Sequence, residues 1–174
     1  MEFYYFKNTG SAQMLDHAQN AQLLLCKEQE AKYRFEELRQ QDICQIGEYL
    51  KEISMKQEKP VAVEAALGNF VVFRFYPEGR GIYEETWISG KRNTVTAFGI
   101  SSKHAMLKMI DKGLKPGHSF SDLDPGRFVL SGGGFPLKLK NGLLVGSLCV
   151  SGLHNDVDHN LVIEALDRYF QQMK

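Results

Sequence analysis

The 174-residue sequence carries no excess charge of either sign. Twenty-one lysines and arginines face 21 aspartates and glutamates, for a formal net charge of zero at pH 7. That removes the long-range positive field on which non-specific nucleic-acid binding relies, so nucleic acid is not an expected partner. It also weakens repulsion between copies, which suits a self-associating protein. Long apolar runs are missing as well. Leu23-Leu24-Leu25-Cys26 is flanked by glutamines and charges, and nothing approaches the roughly 20 apolar residues of a membrane helix. The amino-terminal MEFYYFKNTG lacks a basic region followed by an apolar core, so it does not read as a secretory signal. Cysteine is scarce: Cys26, Cys44 and Cys149 are odd in number and scattered. That excludes a disulfide frame or a spaced zinc site and points to reduced, mostly buried thiols in a cytosolic protein. The glycine-rich run Gly132-Gly133-Gly134 is not followed by Gly-Lys-Ser/Thr and precedes a strand, so it is neither a P-loop nor a dinucleotide fingerprint. No serine–histidine–aspartate order or paired-glutamate spacing argues for a hydrolase.

What is present has the length of one domain. Residues 1–13 read as a flexible N-terminal extension and residues 14–174 as a single domain. Residues 14–30 hold strong helix formers without proline or glycine, and Tyr33-Arg34-Phe35 reads as a short edge strand or a connection. Between Asp42 and Met55, Ile43, Ile46, Leu50 and Ile53 recur at spacings of three and four, a core-facing helical stripe. After Pro60 the period changes. VAVEAAL and FVVFRFY flank Gly68-Asn69, the pattern of a hairpin. A helical stretch from Glu84 to about Lys112 is interrupted near Gly99, and a long loop from Gly113 to Gly134 follows, a length that tends to be functional. FPLKLK and LLVGSLCV then form a second hairpin around Asn141-Gly142. A final helix begins near Asp156, with Leu161, Val162, Ala165, Leu166, Tyr169 and Phe170 on a wide apolar face. The order is α-α-β-β-α-β-β-α. This predicts an α+β fold, an antiparallel sheet with helices packed on its faces.

Three groups of residues invite a chemical reading. Gly132, Gly133, Gly134 and Phe135 could bring backbone N–H groups to a phosphate or carboxylate, or could form a tight junction beneath a helix. Trp87, Lys91, Arg92 and Asn93 could line a pocket for an anionic ligand, with Trp87 and Lys91 sharing a helix face and turned towards the glycines. They could equally be a core tryptophan with cations extended along an interface. His154 and His159 lie in HNDVDH, a metal-like cluster. Its aspartates are also accounted for by a helix start, with Asn155 or Asp156 as N-cap and Asp158 in the first turn. His104 and His118 stand alone in polar contexts and read as exposed.

The segments PVAVEAALG, W-x-x-x-KRNTVTAFGISS, SGGGFPLKLKNGLLVGSLCVSGL and DHNLVIEALDRYF, in that order, resemble the GlcG/HbpS-like haem-degrading-domain family. Within it they resemble the small cytosolic branch called uncharacterised protein family 0303. The resemblance covers roughly residues 23–174. It implies a profilin- or PAS-like layout, assembly into dimers or larger rings, and binding or degradation of haem. With no Cys-x-x-Cys-His run, haem would be held non-covalently, with His154 or His159 as an axial ligand. Where the resemblance implies a histidine before the glycine–phenylalanine–proline run, this chain has Ser131. The alternative function is a non-enzymatic oligomeric scaffold or interaction module.

Overall fold

The computed structural model describes residues 15–113 and 127–172. The expected extension at 1–13, the middle of the long loop and His118 lie outside the described residues. Helix α1 (His17–Lys32) starts from a capping box: Gln19 N–H donates to the Asp16 carboxylate at 2.7 Å, and Asp16 N–H donates to the Gln19 side chain at 3.0 Å. Strand β1 (Arg34–Phe35) follows, then helix α2 (Gln40–Met55) and the hairpin of β2 (Ala62–Leu67) and β3 (Phe70–Phe75). Helices α3 (Ile82–Phe98) and α4 (Ser102–Asp111), strands β4 (Gly134–Leu139) and β5 (Leu144–Ser151), and helix α5 (Asn155–Gln172) complete the chain. The fold is α+β.

The five strands form one sheet in the order β1-β4-β5-β2-β3. Four are antiparallel as expected, but β1 pairs in parallel with β4, so the sheet is mixed. Two-residue β1 was ambiguous in sequence because so short a run has no period of its own. The interrupted helix is two helices. Gly99 closes α3 at φ +62, a left-handed C-cap, and its N–H bonds the Val95 carbonyl at 2.8 Å. Ser101 then caps α4, its hydroxyl accepting from His104 N–H at 3.2 Å.

Strand alternation sets the layers. In β2 and the residue before it, Val61, Val63 and Ala65 face α2 and α5, where Ile43, Ile46, Leu50 and Ile53 bury their predicted stripe against Leu161, Val162, Ala165 and Leu166. Each such valine, leucine or isoleucine side chain contributes about 1.5–3 kcal/mol on leaving water. Ala62 faces the other way, against Ile88 of α3 and Cys149 of β5. A third apolar cluster joins α1 to α4 through Cys26 and Leu107. The N-terminus of α5, the middle of α3 and the start of β4 meet at one end of the sheet.

Candidate functional site

The three glycines occupy that meeting point. A Cβ at Gly132 would lie 2.1 Å from the Asn155 carbonyl oxygen of α5. At Gly133, where φ is +115, it would lie 2.4 Å from the Val150 oxygen and 2.9 Å from Lys91 Nζ. At Gly134 it would lie 2.9 Å from Ser102 Oγ of α4. Four different elements, α5, β5, α3 and α4, thus approach three successive backbone units. The backbone groups have internal partners: Val150 N–H donates to the Gly133 carbonyl at 2.9 Å, and Gly134 N–H donates to Ser102 Oγ at 2.8 Å. Phe135 is fully buried, its ring centroid 6.1 Å from Tyr33 and 6.2 Å from His159.

Lys91 reaches into this junction. Its ammonium donates to the Val150 carbonyl at 2.7 Å and to Asp158 at 3.0 Å, and the two charged side chains are 1% and 2% exposed. Asp158 also accepts from Leu153 N–H at 3.0 Å. Burial pushes the Asp158 carboxyl above its ordinary value, against the pull of Lys91. Removing one partner of such a pair costs about 3–5 kcal/mol, because the other charge is left without compensation. Lys91 is therefore turned towards the glycines, as expected.

The rest of its cluster fans out around α3, since successive helical residues are about 100° apart. Arg92 points to the opposite flank and pairs with Glu64, a completely buried carboxylate on β2 that Arg74 also engages. Asn93 donates from its side-chain amide to the Arg127 carbonyl at 2.8 Å. Trp87 is 36% exposed, its ring centroid 6.2 Å from that of Tyr83 with the planes tilted by 60°, and Tyr83 is exposed, as is Ile82 beside it. Lys91, Arg92 and Asn93 do not converge on one pocket.

HNDVDH also separates. Helix α5 starts at Asn155, with Asp158 N–H bonding the His154 carbonyl at 3.0 Å. The N-cap position is thus His154, not Asn155 or Asp156. The aspartates instead tie helices together: Asp156 pairs with Lys103 of α4 at 2.7 Å, and Asp158 pairs with Lys91 of α3. His154 is exposed, with Nδ1 3.7 Å from Asp156. His159 is 1% exposed, its Nε2 2.9 Å from Gln29 Oε1 and its Nδ1 without a partner. Burial first and Lys103 second lower its pKa to about 4, so the ring is neutral at pH 7. Among the described residues no group of three histidine, cysteine or acidic side chains is placed to hold a metal ion.

Sequence reasoning misplaced His104. It is buried, with Nδ1 3.0 and 3.1 Å from the two oxygens of Glu30 on α1, and Glu30 also accepts from Ser101 N–H at 2.8 Å. Burial raises the Glu30 pKa, but the bonds from His104 and Ser101 outweigh it and hold the carboxyl low. The available signal was the i, i+4 spacing of Cys26 and Glu30, which puts an acid on the same face as a buried thiol.

Comparison with known proteins gives a consistent picture. A family model described as haem degrading protein HbpS-like matches residues 38–167. A UPF0303 protein of Streptomyces coelicolor is 32% identical over 143 residues, 82% of this chain and 90% of that protein. One from Zymomonas mobilis is 30% identical, over 90% of this chain and 83% of its own. Among solved structures, the Ybr137w protein superposes with a TM-score of 0.77 at 23% identity, covering 87% of this chain and 90% of that one. The PduOC:heme complex gives 0.60 at 21% identity, with 75% and 93% covered. HbpS gives 0.60 at 16%, with 75% and 88% covered.

Proposed function

Because this chain belongs to the HbpS-like haem-degrading protein family, we propose that it is a homo-oligomeric protein that binds haem, or another anionic planar ligand, without a covalent link. Family membership over residues 38–167 is the observation that carries this reading. A relative of the same fold crystallised as a heme complex supports it. The residues present fit such a group in two respects. His159 is a neutral imidazole with an unpartnered Nδ1, and the neutral form is the one that ligates iron. Tyr83 and Trp87 offer an exposed aromatic surface suited to a planar ligand.

Haem, when bound, supplies a redox-active iron. The chain's own contribution is orientation and charge. His154 and His159 are the residues that would hold the iron, and they differ in access: His154 stands in solvent, while His159 is buried with its Nε2 on Gln29 of α1. Lys91 and Arg92 are the candidate partners for propionates, although each already holds a carboxylate, Asp158 and Glu64 respectively. Lys91, being buried, would have to leave Asp158 to meet a ligand, whereas Arg92 is the more accessible of the two.

The test is a hemin titration of the purified protein, followed at the Soret band. The expected outcome is a saturable, stoichiometric shift that His154→Ala or His159→Ala abolishes, identifying the ligand. A shift that never saturates would sink the haem reading. The second reading, an oligomeric scaffold without a ligand, is favoured by the apolar surface of Ile82, Tyr83 and Trp87 on α3.

A further inference from the structure

Arg34 and Lys138 are register partners where β1 runs parallel to β4. Partners on strands about 4.8 Å apart send their side chains off the same face. Like charges in that relation repel, and opposite charges are the stabilising choice. Neither cation is ion-paired among the described residues. Arg34 donates through Nε to the Glu30 backbone carbonyl at 2.7 Å, a neutral acceptor that leaves both Nη groups uncommitted. Both side chains are half-buried.

The surroundings sharpen the imbalance. Lys138 Nζ lies 3.7 Å from where a Cβ on Gly99 would be, and Gly99 at φ +62 has no side chain to cover that flank. The C-terminal end of α3 offers Lys138 some partial negative charge. That answers part of one cation and none of the repulsion between two. Burial first and Arg34 second weaken the hold of Lys138 on its proton, and the one carboxylate acting against them is Glu30. Glu30 is already engaged by Ser101 N–H and His104. Lys108 of α4 also senses Glu30, and burial, Lys112 and Lys27 act on it in the same sense as on Lys138. For Arg34 and Lys138 the nearby carboxylate is thus one already occupied.

We infer that Arg34 and Lys138 form a binding site for a small oxyanion, a phosphate or carboxylate group, received beside Gly99 between the guanidinium and the ammonium. The two Nη groups suit a planar, two-point contact, and the ammonium adds a third donor. The site shares no residue with Lys91, His154 or His159, so it does not depend on the haem reading.

The test is an NMR titration of the 15N-labelled full chain with inorganic phosphate and, separately, with acetate. Saturable shifts at Arg34, Gly99 and Lys138 are expected, and the tighter of the two anions identifies the ligand class. Lys138→Gln and Arg34→Gln should each weaken binding by roughly tenfold or more, the loss of one charge-assisted contact. Lys138→Arg should retain it. The amide spectrum of each variant reports its folding, and either glutamine variant that remains folded decides the matter. If both unfold, the arginine variant and the wild-type titration decide it. Shifts that stay linear and spread over the surface lysines would overturn the proposal, as would affinity unchanged in the glutamine variants.

Discussion

At residue scale, the site region is governed by room and by water. Gly133 has neither the backbone conformation nor the space for a side chain, because the Val150 carbonyl and the Lys91 ammonium already occupy its flank. Lys91 can be buried only because Val150 and Asp158 accept its hydrogen bonds. His159 has the opposite solution: with no acid in direct contact, burial keeps it neutral. Its folded pKa of about 4 lies below the ordinary 6.5, so between those values the unfolded chain binds a proton that the folded chain does not. Stability contributed by the neutral ring is present above 6.5 and falls as pH drops towards 4. Denaturant unfolding should show a loss on the order of 2 kcal/mol from this group between pH 7 and pH 5. His159→Gln should flatten that part of the profile. Identical slopes in wild type and variant would contradict the assignment.

At the scale of elements, packing explains choices that propensity does not. Gly47 sits inside α2, where glycine costs about 1 kcal/mol relative to alanine. A Cβ there would be 2.3 Å from Phe73 Cγ, so the glycine lets α2 settle on β3. Gly47→Ala should therefore destabilise despite its better propensity, by about 1–3 kcal/mol of overpacking less the helical gain. Adding Phe73→Leu should recover part of the loss in urea melts. A more stable single variant would show that α2 and β3 can separate without penalty. The hairpins were legible because their turn chemistry is local. Gly68 has φ +53, and Gly142 has φ +91 with its N–H bonding Leu139. The second loop is nevertheless three residues long, Lys140 to Gly142, since Leu139 N–H pairs with the Leu143 carbonyl at 2.9 Å.

For the whole molecule, the question is what covers its apolar surface. Ile82 is 84% exposed and Tyr83 71%, and β3 lies at a sheet edge with Phe70 in solvent. Edges and patches of this kind are normally covered. Sedimentation should give a multiple of the monomer mass. The double change Tyr83→Ser with Trp87→Ser should weaken assembly by at least about tenfold, as loss of aromatic anchors does at interfaces. A monomeric wild type would remove the assembly reading. Among the described residues no helix is long and apolar enough to cross a membrane, in keeping with the absence of long apolar runs.

The chain's sequence by itself determined the order of elements apart from β1 and the separation of α3 from α4, the α+β class, the stripe of α2 and the family, because periodicity, turn residues and collinear motifs are local properties. It also set Trp87 and Lys91 against Gly132–Phe135; Lys91 is the one beside the glycines, while Trp87 is exposed. Only the tertiary structure decided that His104 is buried on Glu30, that Arg92 belongs to Glu64, and that Asp156 and Asp158 join helices. It alone set Arg34 beside Lys138. These pairings link residues from 28 to more than 100 positions apart in the chain. The strength of each depends on burial and on the company of other charges, which no stretch of neighbouring residues specifies.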